Sequence, residues 1–401
     1  AGLAPAPVSP PRVPPAPVAA PPETVPVLHL VNGEHYSGAE RVQDLLALAL
    51  PSVGYRVGFA SLKPGRFGDH RRSIDAPLYE VAMRGRWDAV GAAWRVREIV
   101  RDGGYRLLHA HTPRSLAVAA VAARLTGLPL VYHVHSPASR DSTRRVVNWV
   151  NDRLERLCTG RIDRMITVSP TLSSHVRARG APADRLHCVL NGVPALLDNA
   201  AGARRRRSPL EPYVVAMVAL FRPRKGAEVL LDAIAALREA EVDVRLEAIG
   251  PFESPAYERA LHDRVTRLGI EDAVHWGGFT DDVQAELARA DALALPSLFG
   301  EGLPMVVLEA MAAGLPVVAT RCEGTTEAIL DGETGYLIEP GSVTQLADAL
   351  AKLFSPATDY ADMSLAARSR HAERFSDAAM ARQVAAVYDA ILKKRPVASD
   401  R

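Results

Sequence analysis

The stretch PSLFGEGLPMVVLEAMAAGLPVVAT, from Pro296 to Thr320, decides the fold. It predicts a strand end, a glycine-rich loop, a helix with Pro304 in its first turn and, after Gly314, a second strand. Proline near the start of a helix and glycine after its end is the favoured polarity of these two residues. The stretch is therefore typical of one unit of an α/β domain.

The same alternation of β-rich runs and helices continues on both sides of this stretch. Strands are predicted at 25–31, 55–61, 106–111, 129–135, 164–169, 186–190, 213–220, 244–249, 274–277, 292–296, 316–320 and 335–338. Helices are predicted at 41–50, 116–125, 227–240, 256–268, 281–289, 304–313 and 377–394. Strands that alternate with helices indicate parallel sheets.

The pattern stops once, in an irregular segment with a run of four arginines, and then restarts. This interruption predicts two tandem Rossmann-like parallel-sheet domains that face each other across a cleft. The predicted parts are a disordered proline-rich arm (1–26), a first Rossmann-like domain (27–196), a linker (197–212), a second Rossmann-like domain (213–376) and a C-terminal helix (377–401) that packs back on the first domain.

Composition narrows the class of protein. Of 401 residues, 48% are hydrophobic and 23% are charged, which excludes a disordered chain, a coiled coil and a collagen-like fibre. No apolar run approaches the ~18–20 residues of a membrane-spanning helix. The three cysteines, Cys158, Cys188 and Cys322, are too few and too widely spaced for a disulfide framework or a zinc cluster, so a reducing cytoplasm is expected.

Charge is divided unequally between the two halves. Residues 27–196 carry 24 basic and 14 acidic side chains, whereas residues 213–395 carry 18 basic and 28 acidic ones. A basic first half suits an anionic acceptor, a membrane surface or nucleic acid, or is simply an arginine-rich surface. Aromatic residues make up only 5%, which disfavours nucleic acid.

Several common functional motifs are absent from the sequence. It contains no Walker sequence, no Gly-x-Gly-x-x-Gly after the first strand and no Gly-x-Ser-x-Gly elbow. Two His-x-His pairs, His109/His111 and His133/His135, each place both side chains on one face of a strand. Because no Asp, Glu or Cys stands near them, no metal site is predicted there.

The loop Gly300-Glu-Gly-Leu303 carries the predicted chemistry. Its backbone N–H groups stand beside a helix N-terminus, where an anion such as a diphosphate binds. Glu301 and Glu309 would repel a phosphate, so they are expected to accept hydrogen bonds from sugar hydroxyls.

Within this stretch of glycines and prolines, the Glu-x7-Glu spacing of Glu301 and Glu309 resembles the nucleotide-sugar motif of glycosyltransferase family 4 (glycosyl transferases group 1), the retaining enzymes with a GT-B fold. Other segments, over about residues 27–394, also match: Ser37-Gly-Ala-Glu40, the two His-x-His strand ends, Asn191-Gly-Val193, Arg222-Pro-Arg-Lys-Gly226 and Glu333-Thr-Gly335. One departure concerns the phosphate clamp, because Ala219-Leu220 stands where the family often has an arginine.

The resemblance implies that residues 27–196 form an acceptor-binding domain and residues 213–376 a nucleotide-sugar-binding domain, and it implies a role for each matched residue. Glu309 would bind the ribose, Glu301 the donor sugar, and Lys225 with Arg222 or Arg224 the leaving diphosphate. His135 would lie near the anomeric carbon, and 275–279 would flank the base. The implied catalytic residues are therefore His135 and Glu301, and the implied donor-binding residues are Gly38, Arg222, Lys225, Gly302, Leu303 and Glu309.

The resulting hypothesis is a retaining glycosyltransferase that moves a sugar from a nucleotide diphosphate, most simply a UDP-sugar, to a glycan, a lipid-linked acceptor or a small molecule. The nucleotide-sugar is a substrate, and with Lys225 and an arginine present no metal or other cofactor is expected. A nucleotide-sugar epimerase on the same fold and a non-catalytic nucleotide-sugar-binding protein remain as alternatives.

A second surface candidate is the arginine-rich helix predicted within 140–164, which also carries Trp149. Basic amphipathic helices bind anionic membranes, which would make the protein peripheral on the inner face of the membrane. The simpler expectation is that its Val and Leu stripe packs on the sheet.

Overall fold

The computed structural model describes residues 24–36, 38–83, 85, 88–137, 145–195 and 211–393. Residues 1–23 of the predicted proline-rich arm and residues 196–210, which cover most of the predicted linker, lie outside these ranges. So do Ser37 and the first residues of the predicted arginine-rich helix.

The first domain is built on a seven-stranded sheet that is parallel throughout, in the order β3-β2-β1-β4-β5-β6-β7. Its strands are β1 Val25–Val31, β2 Tyr55–Ser61, β3 Leu78–Glu80, β4 Leu107–Ala110, β5 Leu130–Val134, β6 Arg164–Thr167 and β7 Leu186–Cys188. Its helices are α1 Gly38–Ala49, α2 Arg66–His70, α3 Ala89–Gly103, α4 Pro113–Thr126, α5 Arg145–Cys158 and α6 Pro170–Ala178. The strand order reverses between β1 and β4, and ligands bind outside the carboxyl ends of strands at such a point.

The second domain repeats this arrangement with six parallel strands in the order β10-β9-β8-β11-β12-β13. The strands are β8 Tyr213–Val218, β9 Val244–Ile249, β10 Val274–Gly278, β11 Ala292–Leu295, β12 Val317–Thr320 and β13 Gly335–Ile338. The helices are α7 Ala227–Glu239, α8 Pro255–Leu268, α9 Val283–Leu287, α10 Met305–Ala312, α11 Thr325–Ala328, α12 Val343–Phe354, α13 Tyr360–Arg374 and α14 Asp377–Leu392. The predicted fold class is confirmed.

Helix α10 is the centre of the deciding stretch and is buried along its whole length. Its eight residues are apolar except for Glu309, and a helix that is apolar on all sides belongs inside a protein. Pro304 caps its start, and Gly314, with φ +67°, turns the chain away after its end. The helix thus carries one buried carboxylate between the two domains.

The last helix, α14, returns to the first domain. The Tyr55 hydroxyl of β2 donates to the Asp389 carboxylate at 2.5 Å, and Tyr388 is completely buried. Before the helix starts, the backbone of Val193 bonds to Phe375 and Asp377 at 2.9 and 3.2 Å. The chain end therefore ties the two domains together on the side where the linker leaves.

Helix α5 meets the simpler expectation for its apolar stripe only in part, because three of its apolar side chains are exposed while the other described ones are half-buried. Val146, Trp149 and Leu157 are 75%, 58% and 81% exposed, so these side chains do not pack on the sheet. The Arg153 guanidinium lies 5.3 Å from the centre of the Trp149 ring. Among the described residues, every helix is too short or too polar to cross a bilayer.

Candidate active site in the interdomain cleft

The basic loop that follows β8 lies directly against the loop that follows β11. Gly226 has φ +68°, and a Cβ there would fall 2.1 Å from the carbonyl oxygen of Pro296. The Leu298 N–H donates to the Arg224 carbonyl at 2.8 Å. Only glycine permits this approach, which brings Lys225 to the glutamate loop as the sequence predicts.

Glu301 is the point where these two loops join. Its Oε1 accepts from Lys225 Nζ at 2.5 Å, Ser297 Oγ at 2.6 Å and Arg224 Nη1 at 3.3 Å. Burial raises the pKa of Glu301, but the positive charges of Lys225 and Arg224 outweigh it and bring that pKa to about 2. The carboxylate is therefore ionised at neutral pH and holds Lys225 in place.

The amides of the glycine-rich turn are not all open to a ligand, as the sequence suggested. Glu323 Oε2 accepts from the N–H groups of Gly300 and Glu301 at 3.0 and 3.2 Å. This carboxylate already occupies half of the predicted anion site, because residue 323 follows β12 and the sheet places it beside the turn. The arrangement does show that these amides converge on an anion.

The turn also touches the first domain. A Cβ on Gly302 would lie 1.8 Å from the carbonyl oxygen of His135, and Asn191 Nδ2 donates to the Leu303 carbonyl at 2.8 Å. His135 follows β5, and its Nε2 lies 3.0 Å from Nδ1 of His111. Burial lowers the pKa of His135 to about 3, so the imidazole is neutral at pH 7.

Glu309 is paired across the cleft with Arg41 of α1. Arg41 Nη1 donates to Glu309 Oε2 at 3.0 Å, and Nη2 also bonds to Oε1. Burial raises the pKa of Glu309, and Arg41 opposes that shift. A pocket adjoins this pair, between Tyr36 and Arg72 of the first domain and 281–284 of the second.

Two predicted donor-binding residues contact this centre less directly. Gly38 is exposed at the start of α1, one turn before Arg41, and a Cβ there would meet nothing within 4 Å. The Arg222 guanidinium lies 3.9 Å from Glu253, outside the group of donors around Glu301. The structure gives no packing reason for glycine at position 38.

Comparison with known proteins shows the family to which this chain belongs. A model of the glycosyl transferase 4-like domain matches residues 37–192, and one of glycosyl transferases group 1 matches residues 201–370. A D-inositol 3-phosphate glycosyltransferase of Corynebacterium efficiens is 31% identical over 316 residues, 73% of each chain. The chain belongs to glycosyltransferase family 4.

Two further relatives of this glycosyltransferase are informative. A phosphatidyl-myo-inositol mannosyltransferase of Mycobacterium leprae is 29% identical, over 74% of this chain and 76% of its own. The crystal structure of Anabaena HepE in complex with UDP and glucose superposes with a TM-score of 0.79 at 24% identity, covering 90% of this chain and 99% of HepE. The latter similarity confirms the two-domain fold.

Sequence reasoning about this glycosyltransferase missed two side chains of the cleft. Arg41 directly follows the matched Ser37–Glu40 segment, so its position one turn into α1 was an available signal. Glu323 had no comparable signal, because its contact with the turn depends on the order of β11 and β12 in the sheet.

Proposed function

We propose that this glycosyltransferase transfers a hexosyl group from a UDP-sugar to its acceptor with retention of anomeric configuration. The observation that carries the proposal is the convergence of Lys225, the Gly300–Leu303 turn and Glu309 on one cleft, opposite His135. The UDP and glucose named for HepE support UDP as the nucleotide.

In this reaction the bond between the anomeric carbon and the diphosphate oxygen breaks, and an acceptor oxygen forms a bond on the same face of the sugar. The acceptor proton passes to the departing diphosphate. Negative charge builds on that diphosphate, and a preorganised cation beside it lowers the barrier. Lys225, held by Glu301, and Arg222 supply this charge, so no metal is required in the proposal.

The other donor contacts follow from the same placement. Glu309 binds the ribose hydroxyls once Arg41 has released it, and Glu301 contacts the donor sugar. The Gly302 and Leu303 amides complete the donor site, because Glu323 holds those of Gly300 and Glu301. Gly38 lets the start of α1 approach the diphosphate, and His135 lies next to the anomeric carbon.

For the acceptor we propose an anionic or glycan molecule held by the basic first domain. The excess of ten positive charges in residues 27–196 supports this assignment. Two relatives are named for inositol phosphate and phosphatidyl-myo-inositol, which are anionic. All three cysteines are free thiols, which fits synthesis of a polysaccharide or glycoconjugate in the reducing cytoplasm.

Donor binding tests the site assignment. UDP-, GDP- and ADP-sugars are screened for ligand-induced thermal stabilisation, and UDP-sugars are expected to give the largest shift. Lys225→Ala and Glu309→Ala should each weaken UDP binding at least tenfold, whereas Lys352→Ala, on the surface of the same domain, should not. Unchanged binding in both site variants would show that the site is wrong.

Turnover separates the proposed transferase from the two other functions. Transfer should release UDP only when an acceptor is present, and the product should keep the donor's anomeric configuration by NMR. An epimerase would convert the donor without any acceptor. A non-catalytic protein would bind UDP without turnover.

We also propose that α5 docks the enzyme on an anionic membrane. On α5 the Arg153 guanidinium stacks on the exposed Trp149 ring. On α3 Arg97 lies at the same distance, 5.3 Å, from the centre of the exposed Trp94 ring, so Trp94 serves as a matched control. Trp149→Ser should reduce sedimentation of the full chain with phosphatidylglycerol vesicles at low salt, and Trp94→Ser should not. Absence of binding to these vesicles at low salt would refute the proposal.

A further inference from the structure

Five histidines lie together at the carboxyl ends of three neighbouring strands of the first domain. His29 is in β1, His109 and His111 end β4, and His133 and His135 end β5. The pairing of β1 with β4 places His29 directly opposite His109. The side chains of His29, His109, His111 and His133 are buried. Among the described residues, no carboxylate is hydrogen-bonded to any of the five imidazole rings.

Three of these imidazoles have one ring nitrogen within hydrogen-bond distance of a neighbouring side chain outside the set of three. The Tyr388 hydroxyl of α14 lies 3.1 Å from Nε2 of His29 and 2.6 Å from Nδ1 of His109. Nδ1 of His111 is held by His135 at 3.0 Å. This leaves Nδ1 of His29, Nε2 of His109 and Nε2 of His111.

The remaining nitrogens have few other partners. Nε2 of His109 is buried and has no hydrogen-bond partner among the residues that the structure describes. Nδ1 of His29 and Nε2 of His111 are hydrogen-bonded to each other at 3.2 Å, so a metal held by both would replace this bond. A buried imidazole nitrogen without a partner is destabilising, so a ligand for Nε2 of His109 would remove that penalty.

We propose that His29, His109 and His111 form a site for a divalent transition metal of the zinc class. One nitrogen of each lies within 4.8 Å of the others. In a tetrahedral zinc site with bonds of about 2.0–2.1 Å, ligand nitrogens stand about 3.3 Å apart. The separation of 3.2 Å between His29 and His111 already meets that requirement.

The chemistry of the donor set defines the metal. Three neutral imidazoles suit Zn²⁺, Co²⁺, Ni²⁺ or Cu²⁺, whereas Mg²⁺ and Ca²⁺ require oxygen ligands. Tyr388 supplies the outer hydrogen bonds that orient metal-binding histidines.

The sequence alone predicts no metal site here, because no Asp, Glu or Cys stands near either His-x-His pair. The third ligand, His29, comes from a strand 80 residues earlier in the chain. A competing set, His111 with His133 and His135, also lies within 4.8 Å. We favour the first set because neither ring nitrogen of His133 has a partner among the described residues to fix its orientation.

Metal binding by the chelator-treated full chain tests this site without any sugar donor, so the outcome is independent of the proposed transfer. Equilibrium dialysis should show one Zn²⁺ per chain, and Co²⁺ should give the visible absorption of a tetrahedral complex. Mg²⁺ should not bind. Failure of the wild-type chain to take up Zn²⁺ would overturn the proposal.

Variants locate the ligands. His29→Gln and His109→Gln should each lose at least 100-fold in Zn²⁺ affinity, while His187→Gln, on β7, and His133→Gln should retain it. Tyr388→Phe keeps the shape of the helix contact and should weaken affinity about 10–100-fold. Circular dichroism checks that each variant is folded. Retained binding in folded His29→Gln would overturn the assignment.

Discussion

Arg41 and Glu309 show how one buried carboxylate is tolerated in an apolar helix. Glu309 is almost fully buried in α10, where an unpaired charge would be very costly. Arg41 compensates for this burial from the other domain through two hydrogen bonds. A nucleotide bound to Glu309 as proposed above would replace Arg41, and the pair would then link ligand binding to contact between the domains.

We expect Arg41→Ala to lower the free energy of unfolding by about 1–3 kcal/mol, below the about 3–5 kcal/mol of a fully buried pair, because Arg41 remains partly exposed. Glu309→Gln leaves the guanidinium with a neutral acceptor and should cost less. Urea denaturation of both variants and of the double variant measures their coupling. Strictly additive effects would contradict the pairing.

Glu301 makes the stability of the second domain depend on pH in the acidic range. Its pKa in the folded state is about 2 against an ordinary value of 4.5, so the unfolded state binds more protons between these pH values. Its stabilisation is complete above pH 4.5 and is lost as the pH falls towards 2. The difference in urea midpoint between wild type and Glu301→Gln should therefore be largest at pH 7 and shrink between pH 4.5 and 3. A constant difference would show that Glu301 is not held ionised.

At the scale of elements, the sequence predicts regular structure well and contacts between loops poorly. Proline and glycine around α10 give its bounds to within one residue at each end, because they act through local backbone geometry. The bond from Glu323 to the turn and the grouping of His29 with His109 arise from strand order, which no local pattern encodes. The partial exposure of the α5 stripe could not be predicted for a related reason, since an apolar stripe does not reveal which of its residues are covered.

The turn between β11 and α10 gives a sharp test of the contact between domains. Gly302→Ala places a Cβ on the His135 carbonyl oxygen, so the turn must move away from the first domain. A displacement of about 1 Å at a reacting centre costs about 100-fold in rate, which is the loss of kcat we expect in a UDP-release assay. Gly160→Ala, where a Cβ meets nothing within 4 Å, is the control and should be active. Wild-type turnover of Gly302→Ala would place the reaction elsewhere.

At the scale of the whole molecule, the two domains are held together by more than the cleft. The two halves carry net charges of opposite sign, and α14 makes specific contacts with the first domain after the chain has completed the second. Tandem repetition of strands and helices predicts the two domains. The attachment point of α14 at Tyr55 and Tyr388 was not predicted, because it depends on where the last helix emerges from the second sheet.

The bond between Tyr55 and Asp389 joins residues 334 positions apart, so its loss should be felt far from the substituted residue. Asp389→Ala removes a charged acceptor from the buried Tyr55 hydroxyl. A hydrogen bond to a charged group contributes about 1.5–3 kcal/mol, and the lower end applies because Asp389 is exposed. Hydrogen exchange of the β2 amides should accelerate in Asp389→Ala and in Tyr55→Phe, with little further change in the double variant. Asp348→Ala, on the exposed face of α12, is the control and should leave the exchange of the β2 amides unchanged. Equal protection of these amides in wild type and Asp389→Ala would mean that α14 does not support the first domain through this bond.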